Sequence, residues 1–199
     1  MPPHLTVPTD SAALVDIWTD VRRVADQLGV PERGVQLITR LRTRLEAVAL
    51  RAAQQPHHPR VACLVGLDPP ATAGGWISEL VALAGGEDVL GAPGAWPRAV
   101  AHEGLERSDP AVLILAPAGM ELAPALAAAR GLAAHPGWQA LRAVRDGQVY
   151  VADGTVCFGR PGPHAAETLE VIAEMLHPAA FRFGHEGRVW TRLTGGEQT

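Results

Sequence analysis

The stretch "RVACLVGLDPPATAGGWISELVALAGG" (residues 60–86) decides how the rest of the chain is read. Its opening, residues 60–66, is a run of apolar residues that reads as a strand. Its close predicts a helix over about 76–85, ended by paired glycines. Between them lie two prolines, small residues and two glycines, which read as a stiff turn or rim rather than as either element. The rhythm then repeats. "AVLILA" (111–116) is apolar at every position, as a strand buried on both faces should be, and a helix over about 121–134 follows it. "VYVAD" (149–153) precedes the loop "GTVCFGRPGP" and a final helix, 164–176. A short β-like "EDVLG" (87–91) and a short helix near 101–107 fill the interval. This alternation predicts an α/β fold with a mostly parallel sheet covered by helices.

Upstream the period is helical. "PHLTVPTD" (3–10) reads as a short strand and a turn, with Asp10 or Ser11 placed to cap a helix over 11–28. Ala13, Leu14, Ile17, Val21, Val24, Ala25 and Leu28 form that helix's apolar stripe, and Gly29 ends it. Pro31 opens a second helix to about Ala53, striped by Val35, Ile38, Leu41, Leu45 and Val48. Its other face carries Arg40, Arg42, Arg44 and Arg51, read as a solvated face. The end, 182–199, holds Trp190 and reads as a loosely attached extension. Trp76 and Trp138, each opening a helix-like segment, read as packing residues.

With 47% hydrophobic and 19% charged residues the chain is globular. A net charge of −4 with no basic block argues against nucleic acid or an anionic membrane as partner. No apolar run reaches the roughly 18 residues of a transmembrane segment. The start "MPPHLTVPTD" carries no signal peptide, which by itself implies a cytoplasmic chain if that start is genuine. Cys63 and Cys157 are too few and too far apart for a disulfide or zinc framework. His57 and His58 are adjacent and cannot share a helix face as paired ligands do.

Ligands of such sheets sit beyond the carboxyl ends of the strands. Loops 66–76, 116–121 and 154–163 leave those ends, and "APGAWPRA" (92–99) joins them from the side. The loops hold no phosphate-binding fingerprint, no nucleophile elbow and no zinc-helix spacing, so the chain does not read as an enzyme.

The order of these motifs resembles the class III substrate-binding proteins of ABC importers for vitamin B12, iron-siderophores and haem. "VACLVGLDPPATAGGWISELVALAGGEDVLG", "AWPRAVAHEGLERSDPAVLILAPAG" and "GWQALRAVRDGQVYVADGTVCFGRPGPHAAETLEVIAEMLHP" carry the likeness, over about residues 5–181. The B12 branch is nearest, through Asp68-Pro69-Pro70 and Trp96-Pro97. The resemblance implies two Rossmann-like lobes joined by a long helix, with ligand in the cleft between. On that pattern residues 1–30 are a remnant of the N-terminal lobe and 31–56 the bridging helix and linker. Residues 57–181 are the C-terminal ligand-binding lobe, and the rest of the N-terminal lobe is missing.

The resemblance further implies a ligand rim at Asp68, Pro69 and Pro70, an aromatic contact at Trp96, and Arg160 either meeting ligand oxygens or tying down its loop. Glu103, opening a helix, matches the carboxylate that docks on the ABC permease. The implied ligand is cobalamin, haem or a ferric siderophore, a metal-chelate small molecule held without covalent attachment, and the implied location is extracytoplasmic. The sequence departs from its relatives at Val65, Gly66 and Gly75, where some carry aromatic residues or His. Two other readings stand beside this one. One is a split or degenerate half-receptor that pairs with another chain, as a homo-oligomer or with the missing lobe. The other is a Rossmann-like enzyme, which would need a nucleotide-shaped pocket.

Overall fold

The computed structural model describes residues 13–194; the strand expected at 3–10 and the Asp10 or Ser11 cap lie outside them. Two helices come first, α1 (Leu14–Gln27) and α2 (Pro31–Ala52). The α1 start is capped from within: the Asp16 carboxylate accepts the Ala13 N–H at 2.9 Å. The next free donor, Leu14 N–H, reaches the Glu79 carboxylate at 3.1 Å. Then follow β1 (Arg60–Leu67), β2 (Pro70–Thr72), α3 (Gly75–Leu83), β3 (Glu87–Asp88), α4 (His102–Ser108), β4 (Val112–Leu115) and α5 (Leu122–Ala133). A one-turn 3-10 helix at 138–140 leads to α6 (Arg142–Arg145), β5 (Val149–Ala152), α7 (Ala165–Leu176) and β6 (Trp190–Arg192).

The sheet runs β2-β1-β4-β5-β6, with the two-residue β3 also pairing β1. β1, β3, β4 and β5 are parallel, while β2 and β6 are antiparallel to their neighbours. Strand alternation splits the core into two layers. Val61, Cys63, Val112, Ile114, Tyr150 and Ala152 face α1, α2, α3 and α7. Ala62, Leu64, Leu113, Leu115, Val149 and Val151 face α4, α5 and the 138–143 turn. The sheet is thus buried on both faces, which is why β1 and β4 show no polar alternation. Ile114 is fully buried at its centre, where truncation to Ala costs about 2–5 kcal/mol.

Four expectations need correction. The stretch after β1 is not a simple loop. The chain turns at Asp68-Pro69, across a cis peptide, and pairs back as β2, with Leu67 opposite Pro70. Pro is tolerated there because the Pro70 carbonyl, not an N–H, makes the outward bond, accepting from Val100 N–H at 2.8 Å.

Val35 is 54% exposed and Leu28 63%; the contact face of α2 uses Gly34 instead, against α1. Arg44 is not simply solvated: its Nε and Nη2 donate to both oxygens of buried Glu170 at 2.6 Å. Arg51 lies over the Phe181 ring, 5.1 Å from its centroid.

Residues 182–194 of the C-terminal extension are not loosely attached. Trp190 is buried, and β6 adds a strand to the sheet beside β5. The buried Glu174 carboxylate anchors it, accepting N–H groups of Phe183, Gly184 and His185 and the Trp190 indole N–H.

Candidate functional site

The carboxyl ends of β1, β4 and β5 open onto two adjoining hollows, which share Val65 and Ala118 as lining residues. The first is a cleft of about 220 Å³. Its walls are Val65 at the end of β1, residues 73–77 at the start of α3, Ala95–Trp96–Pro97, Ala118, and Phe158, Gly159 and Pro161. Trp96 stands 61% exposed on one wall, while Trp76 and Phe158 are mostly buried behind the others. None of the described lining residues is charged, and none is a His, Tyr, Met or Cys.

Backbone contacts hold these walls. Gly154 N–H donates to the Met120 carbonyl at 2.8 Å, and Gly119 N–H to the Gly154 carbonyl at 3.0 Å, so the loops after β4 and β5 form one unit. Asp153 closes the next turn, accepting Thr155 N–H at 2.8 Å. Thr168 of α7 donates to the Cys157 carbonyl at 2.5 Å and so tethers the residue beside Phe158. Burial, with Glu167 and Asp153 nearby, pushes the Cys157 thiol up to about 12, so it packs as a neutral side chain. Opposite, the Gly75 N–H donates to the Ala92 carbonyl at 3.0 Å and seats the Trp96 loop on the start of α3.

The second hollow is a wider groove of about 810 Å³ between the β1–β2 hairpin, α4 and α5. Asp68, His102, Met120 and His135 bring the polar and soft groups to it.

The residues singled out from sequence therefore divide. Trp96 lines the cleft. Arg160 is exposed at its rim, between the lining residues Gly159 and Pro161. Asp68 is exposed and lines the groove rather than the cleft. Pro69 is exposed in the turn, and Pro70 is buried in β2. Glu103 is exposed in the first turn of α4, beside the groove residue His102. Sequence reasoning had Trp76 only as a packing residue and did not single out Phe158; both pack and also line the cleft. The hairpin also accounts for Gly66: a Cβ there would stand 3.0 Å from the Ala71 Cβ and 3.2 Å from the Pro69 carbonyl oxygen.

Solved structures share this fold. A periplasmic heme-binding protein from Pseudomonas aeruginosa superposes with a TM-score of 0.75 at 24% identity, over 94% of this chain and 67% of that one. An ABC transporter substrate-binding protein from Listeria monocytogenes gives 0.74 at 23%, over 85% and 67%. An ABC-type Fe3+-hydroxamate transport system protein from Saccharomonospora viridis gives 0.69 at 22%, over 83% and 56%. The chain thus spans 56–67% of the length of these three structures. No curated protein matches the sequence. The family model described as "Periplasmic binding protein" matches residues 2–156, most of the chain, and the chain belongs to that family.

Proposed function

We propose that this chain supplies one wall of a metal-chelate binding site in an ABC importer. The family is one of substrate-binding transport proteins rather than enzymes, and is extracytoplasmic in its usual setting. The observation that carries the ligand class is the cleft lining: aromatic and small apolar side chains with no charge and no metal ligand among them. Large flat ligands are held this way, by apolar area and a few backbone groups. Such a wall suits a chelate whose metal is already saturated by its own ligand, cobalamin or a ferric siderophore, better than haem, which presents an open axial position and two carboxylates. Arg160 at the rim then meets peripheral ligand oxygens, and Asp68, Pro69 and Pro70 hold the hairpin that borders the cleft.

A volume of about 220 Å³ is small for a complete site, which usually spans about 300–1,000 Å³. The reading is therefore of one wall, binding weakly alone and completed by a second lobe. Exposed Glu103 is the group that docks on the permease, pairing with a cationic pocket and setting orientation more than affinity.

Titration of the purified chain with cobalamin, a ferric hydroxamate siderophore and haem tests this. Binding of either of the first two, weakened about tenfold by Trp96→Ala, is the expected result; an aromatic contact of about 1.4 kcal/mol corresponds to that factor. Silence from all three at high micromolar concentration overturns the reading for this chain.

A second reading, a half-receptor that pairs with another copy, is favoured by one feature. Val21, Val24, Leu28, Val30, Leu37 and Pro163 line an apolar groove of about 340 Å³ on the outer side of α1 and α2. Groove faces of this kind attract partners. Sedimentation showing a monomer at tens of micromolar removes that reading.

A further inference from the structure

Resting on the chelate reading of the cleft, we propose that the groove beside it is the second half of the same ligand site. The cleft holds the flat, metal-bearing body of a chelate, and the groove holds a heteroaromatic side arm of that ligand. The two hollows share Val65 and Ala118, so one concave surface runs from one into the other. The ridge between them is low. Ala118 N–H donates to the Val65 carbonyl at 2.9 Å, so a single backbone rung crosses it. Above that rung stand only the Ala118 methyl group and half-buried Val65, neither long enough to wall one hollow off from the other.

Size points the same way. Sites for small molecules usually span about 300–1,000 Å³. The cleft, at about 220 Å³, falls short of that range, and the groove, at about 810 Å³, lies within it. A ligand confined to the cleft leaves the larger, mostly apolar hollow beside it hydrated; an arm that crosses the ridge removes that apolar surface from water.

The lining says what kind of arm fits. Leu67, Ala128 and Leu132 supply apolar walls. Met120, 39% exposed in the loop after β4, adds a polarisable thioether of the kind that packs on ring edges. His102, the first residue of α4, and His135, in the turn after α5, stack with centroids 3.5 Å apart and planes within 4° of parallel. The stack steadies both rings as one wall carried by two elements. Apart from this ring contact, neither imidazole has a hydrogen-bond or ion-pair partner among the described residues, so the ring nitrogens remain open to polar atoms of a heterocycle. Asp68, the one formally charged residue of the lining, sets the groove against an arm that ends in a carboxylate and not against an uncharged ring. On the α5 side the groove is bare at Gly131, where an added Cβ would meet nothing within 4 Å.

Gly131 also provides the test. Gly is a poor helix former, and here its side is open, so a larger residue fills the groove without threatening the fold. The intact chain is titrated calorimetrically with cobalamin and with cobinamide, which has the same metal-bearing corrin ring but lacks the benzimidazole arm. Cobalamin should bind about tenfold more tightly than cobinamide, the factor expected of one well-packed aromatic contact. Gly131→Phe should bring cobalamin down to the cobinamide level and leave cobinamide unchanged. Met120→Ala should weaken cobalamin severalfold and cobinamide not at all, whereas Trp96→Ala should weaken both alike. Unaltered cobinamide binding shows that the Gly131 and Met120 variants are folded. Equal affinity for the two corrinoids, a cobalamin advantage that survives Gly131→Phe, or binding of a ferric hydroxamate with silence from both corrinoids would each overturn the groove assignment and leave the chelate reading standing. Silence from every chelate removes that reading and this assignment with it.

Discussion

Glu174→Ala should detach the C-terminal segment and lower global stability by about 3–4 kcal/mol. The Glu174 carboxylate is only 4% exposed and has no cationic partner among the described residues; four dipoles hold it. One oxygen accepts the Phe183 and Gly184 N–H groups, the second at 2.7 Å. The other accepts the His185 N–H at 3.3 Å and the Trp190 indole at 2.9 Å. Hydrogen bonds to a charged group contribute about 1.5–3 kcal/mol each, so four would sum to more than any single substitution removes. The burial penalty of the carboxylate, several kcal/mol, offsets part of that sum. After truncation, water can reach Phe183 and Gly184, which are exposed, whereas His185 and Trp190 are buried and keep orphaned donors. Two orphans at about 1–3 kcal/mol each give the net figure. Urea unfolding measures it, and hydrogen exchange locates it. The Leu193 amide, bonded to the Val149 carbonyl at 2.8 Å, should lose protection first. A loss below about 1 kcal/mol together with unchanged exchange at Leu193 would refute the reasoning.

Three further outcomes are expected. Among the described residues, Arg44→Ala leaves Glu170 with only His185 at 3.2 Å and should cost about 2 kcal/mol, tempered because the Arg44 side chain is half exposed; a double-mutant cycle with Glu170→Gln isolates the pair. Burial holds the His177 imidazole below its usual value of 6.5, against the opposing bond to the Ala84 carbonyl. The unfolded chain therefore takes up the proton first, so this contribution to stability is present above pH 6.5 and is lost as pH falls below it. His177→Gln should flatten the urea midpoint across that window. Burial likewise raises both thiols, so Cys63 and Cys157 should react with a thiol reagent only when denaturant is added, and the Cys157 contribution should be lost as pH climbs from 9 towards about 12.

The elements that sequence made legible are those whose burial is periodic. α1, α2, β1, β4, β5 and α7 announce themselves because one stripe or both faces are apolar. β2 and β6 do not, since each is three residues long and exists through its partner: Pro70 through Leu67 and Val100, Trp190 through Ala152 and Glu174. Asp68-Pro69-Pro70 reads locally as a turn, and only the return onto β1 makes it a hairpin. For the candidate site, loop order and resemblance pointed to Trp96, but nothing local marks Phe158 as its neighbour across the cleft.

Gly74→Ala separates the shape of the cleft from its stability. Gly74 has φ 63° and ψ −165°, a conformation that L side chains rarely adopt, and a Cβ there would stand 2.5 Å from the Ala95 carbonyl oxygen and 3.4 Å from that of Trp96. The loop carrying Trp96 therefore rests on bare backbone. An added methyl must push that loop back by about 0.5–1 Å or force the Gly74 backbone elsewhere, at about 1–3 kcal/mol. Urea unfolding reads that loss. Chelate titration at a temperature where the variant remains folded reads the other consequence. If the Trp96 ring is the contact, Gly74→Ala and Trp96→Ala each lower affinity, and the double variant is little worse than Trp96→Ala alone, because both act through one ring. Additive losses would mean that Gly74 serves the ligand independently of Trp96. Unchanged affinity in Gly74→Ala would mean that the Trp96 wall does not contact ligand at all. Gly74, which reads as a turn former in sequence, thus acts by letting the loop that carries Trp96 approach the start of α3.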